Sequence, residues 1–107
     1  MKVFISIPMA GRSDEQIKTD MEWVSSYIKG EYPAAEILDS FIDEMPPPHP
    51  ITWQRASGLW YLGKSLEIMS QARLAVFVDD WQEARGCVLE HAAATAYGIP
   101  TMQVFIP

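Results

Sequence analysis

Glu90 and His91 sit inside the run RGCVLEHAAA, residues 85–94, which is otherwise small or apolar apart from Arg85. A carboxylate in such surroundings can act as a nucleophile or carry a proton to a reacting group. It can equally be a solvated residue near a helix N-terminus, where a negative charge gains a few tenths to about 1 kcal/mol. Gly86, Ala93 and Ala94 lie at helical spacing from Glu90 and leave room for another backbone or a ligand, so both readings stand. Asp79 and Asp80 close the apolar run LAVFV. Aspartates at a strand end are candidate catalytic groups, and they are also common turn formers.

The segment PMAGRS offers a different chemistry. Gly11 lets the backbone approach a ligand closely. Arg12 and the start of the following helix supply positive charge and free N–H groups, which suit a phosphate or a carboxylate. Ser6, Met9, Gly11, Arg12 and Gly86 are therefore candidate substrate-binding residues, together with Trp81, whose ring can stack on a planar base. No second cluster of His, Cys or carboxylate has metal-ligand spacing, and neither a Walker loop nor a G-x-G-x-x-G fingerprint occurs. No metal and no cofactor are expected.

These residues need a scaffold, and the hydrophobic pattern supplies one. KVFISI reads as a buried strand over residues 2–7. Ser13, with Gln16 three positions on, forms a capping box that opens a helix ending at Gly30. A second strand is predicted over 36–40. Pro46, Pro47, Pro48 and Pro50 around His49 exclude regular structure, and a long loop of this kind is either a lid or a rigid connection. Leu59, Leu62, Leu66 and Met69 mark a second helix over 56–71. LAVFV, residues 74–78, is the clearest strand, WQEA is a loop, and a third helix runs over 85–97. Gly98 and Pro100 stop that helix, and TMQVFI is the last strand. The order β-α-β-α-β-α-β predicts an α/β fold with a parallel sheet of about four strands and helices on both faces. Ligands of such sheets bind at the C-terminal strand ends.

The chain has 107 residues, enough for one domain, and 49% of them are hydrophobic, enough for a core. A net charge of -6 argues against nucleic-acid binding, which needs a basic face. The single cysteine, Cys87, fits a reducing compartment, and no apolar run approaches the roughly 20 residues of a membrane span, so a cytoplasmic protein without membrane contact is expected.

Two stretches, VFISIPMAGRSDEQI and ARLAVFVDDWQEARGCVLEHAAATAYGIPTMQV, resemble the nucleoside 2-deoxyribosyltransferase superfamily, which includes deoxynucleoside monophosphate N-glycosidases. The order of elements agrees across nearly the whole chain. The spacing of Gly86 and Glu90 after a strand, followed by AYGIP, carries most of the likeness. The resemblance implies a flavodoxin-like sandwich over residues 1–107 and cleavage of the bond between base and sugar. It assigns Glu90 as the nucleophile that attacks C1′ and Arg12 as the contact to a 5′-phosphate. The sequence departs from the family at two positions. Ser65 stands where the family has its acid, and Ala84 where it has a polar partner of the nucleophile. Asp79, Asp80 and His49 are the groups available to replace them.

Three functions follow as expectations. The first is an N-glycosidase or deoxyribosyltransferase acting on a nucleoside or nucleotide. The second is a nucleotide-binding module without turnover. The third is an interaction protein using Trp53, Trp60 and Trp81 at interfaces. A homodimer or higher homo-oligomer is expected under all three, because a four-stranded sheet without a helix after TMQVFIP leaves apolar surface to cover.

Overall fold

The structure is a computed structural model, and it describes residues 1–42, 44–46 and 53–107, the side chains of 53–56 excepted. The described elements are β1 (Lys2–Ser6), α1 (Asp14–Glu31), β2 (Glu36–Ile37), α2 (Trp53–Met69), β3 (Leu74–Val78), α3 (Arg85–Ala96) and β4 (Thr101–Val104). All strand pairs are parallel, and the order across the sheet is β2-β1-β3-β4. This is the α/β arrangement of flavodoxin-like sheets. The chain leaves β1 toward β2, then crosses back to β3. The order therefore reverses between β1 and β3, and a crevice opens at their C-terminal ends.

Side chains alternate across the sheet, and that alternation divides the core in two. Val3, Ile5 and Ile7 face one side with Leu74, Val76 and Val78 of β3, where Val24 and Ile28 of α1 cover them. Phe4 faces the other side with Ala75 and Phe77, against Met69 of α2 and Ala94 of α3. Each fully buried Val, Ile or Phe contributes about 1.5–3 kcal/mol. By the same parity Ser6, paired in register with Phe77, points to the side of α2 and α3. That placement decides what Ser6 can touch.

The local signals differ in how far they hold. Ser13 caps α1 by accepting from the Gln16 N–H at 3.1 Å, as the capping box predicts. The Gln16 side chain does not reach back. It donates to Asp20 Oδ1 at 2.9 Å instead. Helix α1 passes through Gly30 to Glu31, because Gly30 does not take up the positive φ of a stop glycine. Gly98, at φ 77, does, and α3 ends at Ala96. β2 is shorter than predicted. Leu38 still donates to Val3 O, but Asp39 Oδ1 then accepts the Phe41 N–H and turns the chain away. α2 begins at Trp53, earlier than the predicted residue 56. The segment WQEA is a single 3-10 turn over Trp81–Glu83 rather than an irregular loop. His49 and most of the proline segment lie outside the described residues. Among the described residues no helix is long and apolar enough to cross a membrane.

Candidate functional site

Glu90 lies in the second turn of α3 and is only 8% exposed. Its Oε1 accepts a hydrogen bond from Ser6 Oγ at 3.1 Å, across a sequence separation of 84 residues. Burial pushes the Glu90 carboxyl up from its ordinary 4.5 to about 7, and the Ser6 hydrogen bond holds it lower than burial alone would. Glu90 also borders a cavity of about 580 Å³ at the C-terminal ends of the strands. A buried carboxyl that titrates near neutrality and opens into a cavity is poised for chemistry in either protonation state. Replacing Ser6 with Ala removes the one side-chain hydrogen bond that favours ionisation. The Glu90 pKa in Ser6→Ala is expected to rise further above 7, by about one unit, as read from the carboxyl resonance in an NMR pH titration.

Four segments line the cavity. Ile7, Met9 and Ala10 come from the exit of β1, and Ser40, Phe41 and Ile42 from the chain after β2. Gly58, Tyr61, Leu62 and Ser65 come from α2, and their spacing places them on one helix face. Glu83, Ala84, Arg85, Gly86 and Cys87, running from the 3-10 turn into the first turn of α3, complete the lining. Ala84 caps α3 without a side-chain hydrogen bond, so its first N–H groups are left to solvent or ligand. Cys87 is one turn before Glu90 on the same face. Burial pushes its thiol up, and the nearby Ser6 hydroxyl offsets only part of that.

Met9, Gly86 and Glu90 thus share one cavity, and Ser6 reaches it through Glu90. Ser65 and Ala84, the two positions where the resemblance calls for an acid and a polar partner, border the cavity as well. The other candidates are elsewhere. Arg12 is held by Asp20 Oδ2 at 2.7 Å and Asp79 Oδ2 at 3.1 Å, with Asp80 Oδ1 at 3.6 Å. Neither Arg12 nor the two aspartates border the cavity. Their charges meet one another at the sheet end, so Asp79 and Asp80 stand as partners of Arg12 rather than as groups of the Glu90 site.

Asp79 is the centre of this cluster. It adopts φ 52, a left-handed conformation that Asp tolerates better than most residues. Its Oδ1 accepts the Ile106 N–H at 2.8 Å, its carbonyl accepts from Gln103 Nε2 at 3.2 Å, and its N–H donates to Val104 O. Gly11, at φ 78, forms the turn in which the Arg12 N–H donates to Met9 O. Gly there meets the demand of the turn and does not border the cavity. Trp81 lies flat on His91, with centroids 4.2 Å apart, and tilts against Phe77. It packs there, and its buried Nε1 has no hydrogen-bond partner among the described residues.

Sequence reasoning did not single out Cys87, Arg85, Glu83 or Tyr61 as site residues. A usable signal existed for α2, where Gly58, Tyr61, Leu62 and Ser65 repeat at three- and four-residue spacing. For Cys87 it was the three-residue step to Glu90. Among the described residues no group of three or more His, Cys, Asp or Glu could hold a metal ion. No protein-family model matches the chain, and no curated protein or solved structure matches it either.

Proposed function

We propose that the protein cleaves, or transfers across, the N-glycosidic bond of a nucleoside or nucleotide, with Glu90 as the nucleophile. The observation that carries this reading is the buried Glu90 carboxyl, held by Ser6 and open to a cavity of about 580 Å³ at the strand ends. A nucleoside-sized ligand fits that volume. The ionised carboxylate attacks the anomeric carbon, and the base departs with the electrons of the C–N bond and takes up a proton. A glycosyl ester on Glu90 results, and water or a second base displaces it. Among the described residues that border the cavity, the Cys87 thiol, kept neutral by burial, and the Tyr61 phenol carry transferable protons more acidic than those of the Ser40 and Ser65 hydroxyls. With Arg12 neutralised by carboxylates, Arg85 is, among the described residues, the cation that borders the cavity and could meet a substrate anion.

The test is base release from a panel of ribo- and deoxyribonucleosides and their 5′-phosphates, followed by chromatography. The wild type is expected to release base from at least one of them. Glu90→Gln should lose on the order of 10³-fold or more. The wild-type rate should rise with pH through an inflection near 7, because the nucleophile must be ionised. A Glu90→Gln protein that keeps full activity would sink the proposal.

A second reading has an observation of its own. Ser65 and Ala84 border the cavity at positions where neither can supply a carboxyl proton. This favours a nucleotide-binding module without turnover. Saturable binding of a nucleotide, with no base released by a folded protein, would select it.

A further inference from the structure

The outer edge of β4 carries a pattern that the site does not use. The Ala75 N–H donates to Pro100 O and the Asp79 N–H to Val104 O, while Ile106 donates to the Asp79 side chain. The even-numbered residues of this segment therefore turn their backbone groups toward β3. In a parallel pair the N–H and C=O of one residue point the same way. Thr101, Gln103 and Phe105 must then turn theirs outward. All three are exposed, and among the described residues no strand pairs with them. The segment TMQVFI contains no charge and no internal proline. Edge strands of stable monomers are usually protected by lysine, proline or a bulge. The opposite edge, β2, is only two residues long.

We infer that β4 pairs with β4 of a second copy, antiparallel about a two-fold axis, and joins the two sheets into one. The occupant is a second copy because the edge is complementary to itself in one register. With Gln103 opposite its counterpart, Thr101 faces Phe105 of the other copy, and every outward N–H and C=O of these residues finds a partner. A shift by one pair in one direction sets Thr101 against Pro107, which has no N–H. A shift in the other sets Phe105 against Ile99, whose N–H is already given to Ala94 O at 2.8 Å. Side-chain chemistry agrees with the register. Met102 and Ile106 lie half-buried beside the α1-side core, and in this register Met102 would lie opposite Val104 of the second copy, and Ile106 opposite its Pro100, on the same face. Phe105, 68% exposed, would pack across the other face.

The experiment is sedimentation velocity over a concentration series, with amide hydrogen exchange on the same samples. A mass near twice the 12.1 kDa of one chain is expected for the wild type. Exchange at Thr101, Gln103 and Phe105 should slow at least ~10-fold as dimer forms. Gln103→Pro removes an outward N–H and leaves the bonds to β3, so it should sediment as a monomer with its circular dichroism unchanged. Gln103→Ala loses the side-chain bond to Asp79 and keeps the N–H, so it should remain dimeric. A monomeric wild type overturns the inference. So does a dimer in which these three amides exchange freely, whether or not Gln103→Pro folds, because its interface then lies elsewhere.

Discussion

Glu90→Gln is expected to raise the melting temperature on the order of 10 °C at pH 8 and to leave it nearly unchanged at pH 4. The direction follows from where the proton resides. Below about 4.5 the carboxyl is protonated in folded and unfolded chains alike, and its burial carries no charge penalty. Between there and about 7 the unfolded chain ionises while the folded chain keeps its proton, so stability falls as pH rises. Above about 7 the folded carboxyl ionises too, and the full cost of a buried anion is present. The shift from 4.5 to about 7 corresponds to about 3 kcal/mol. For a chain of this size each 1 kcal/mol is worth roughly 4–8 °C, and the lower end of that scale is the safer guide. Gln keeps the shape and can still accept from Ser6, but it never ionises. Melting curves of both proteins from pH 4 to pH 8 decide the matter. Parallel curves would mean that Glu90 titrates as an ordinary carboxylate and would remove the electrostatic basis of the site.

Arg12→Ala is expected to cost about 3 kcal/mol at pH 7, seen as a fall in the urea midpoint at unchanged slope. The Asp20 side chain is only 6% exposed, and without Arg12 it retains Gln16 Nε2 as its side-chain hydrogen-bond partner. Removing one member of a buried pair leaves a charge that water cannot reach, which costs more than the pair itself contributes. Asp79 and the loop of Gly11 would lose their shared anchor as well. Asp80→Ala is the contrast. Its contact with Arg12 is 3.6 Å long and its side chain is 62% exposed, so the change should stay within about 0.5 kcal/mol. A ligand contact would behave in the opposite way. Arg12→Ala would then reduce affinity and leave the urea midpoint where it was.

What the sequence could reveal depended on how local the cause was. LAVFV and KVFISI declare buried strands by composition, and alternation with helices implies a parallel sheet. Ser13 and Gly98 act on their own neighbours and could be read directly. The burial of Glu90 was only half legible. Its small neighbours suggested a close approach, but its partner Ser6 is distant in the chain and meets it only once the sheet order is set. Arg12 misled for the same reason. A cation after a strand looks ready for an anion, and the three carboxylates that surround it come from α1 and from the far side of the switch point. Trp81 looked available to a base, while its face was already taken by His91.

The alternation along β1 also constrains how this protein can change. Its residues serve two masters in turn: Val3, Ile5 and Ile7 belong to the α1 core, whereas Phe4 and Ser6 belong to the side that carries Glu90. Deleting one residue within the strand would swap the two sets, burying a hydroxyl beneath α1 and setting an isoleucine under the carboxyl. Point substitution is less constrained. Position 6 can be exchanged for another small polar residue without disturbing a single contact of α1. Phe4 anchors the core on the Glu90 side, so it is position 6, and not the even positions as a set, at which variation can retune the site while the packing on both faces stays intact.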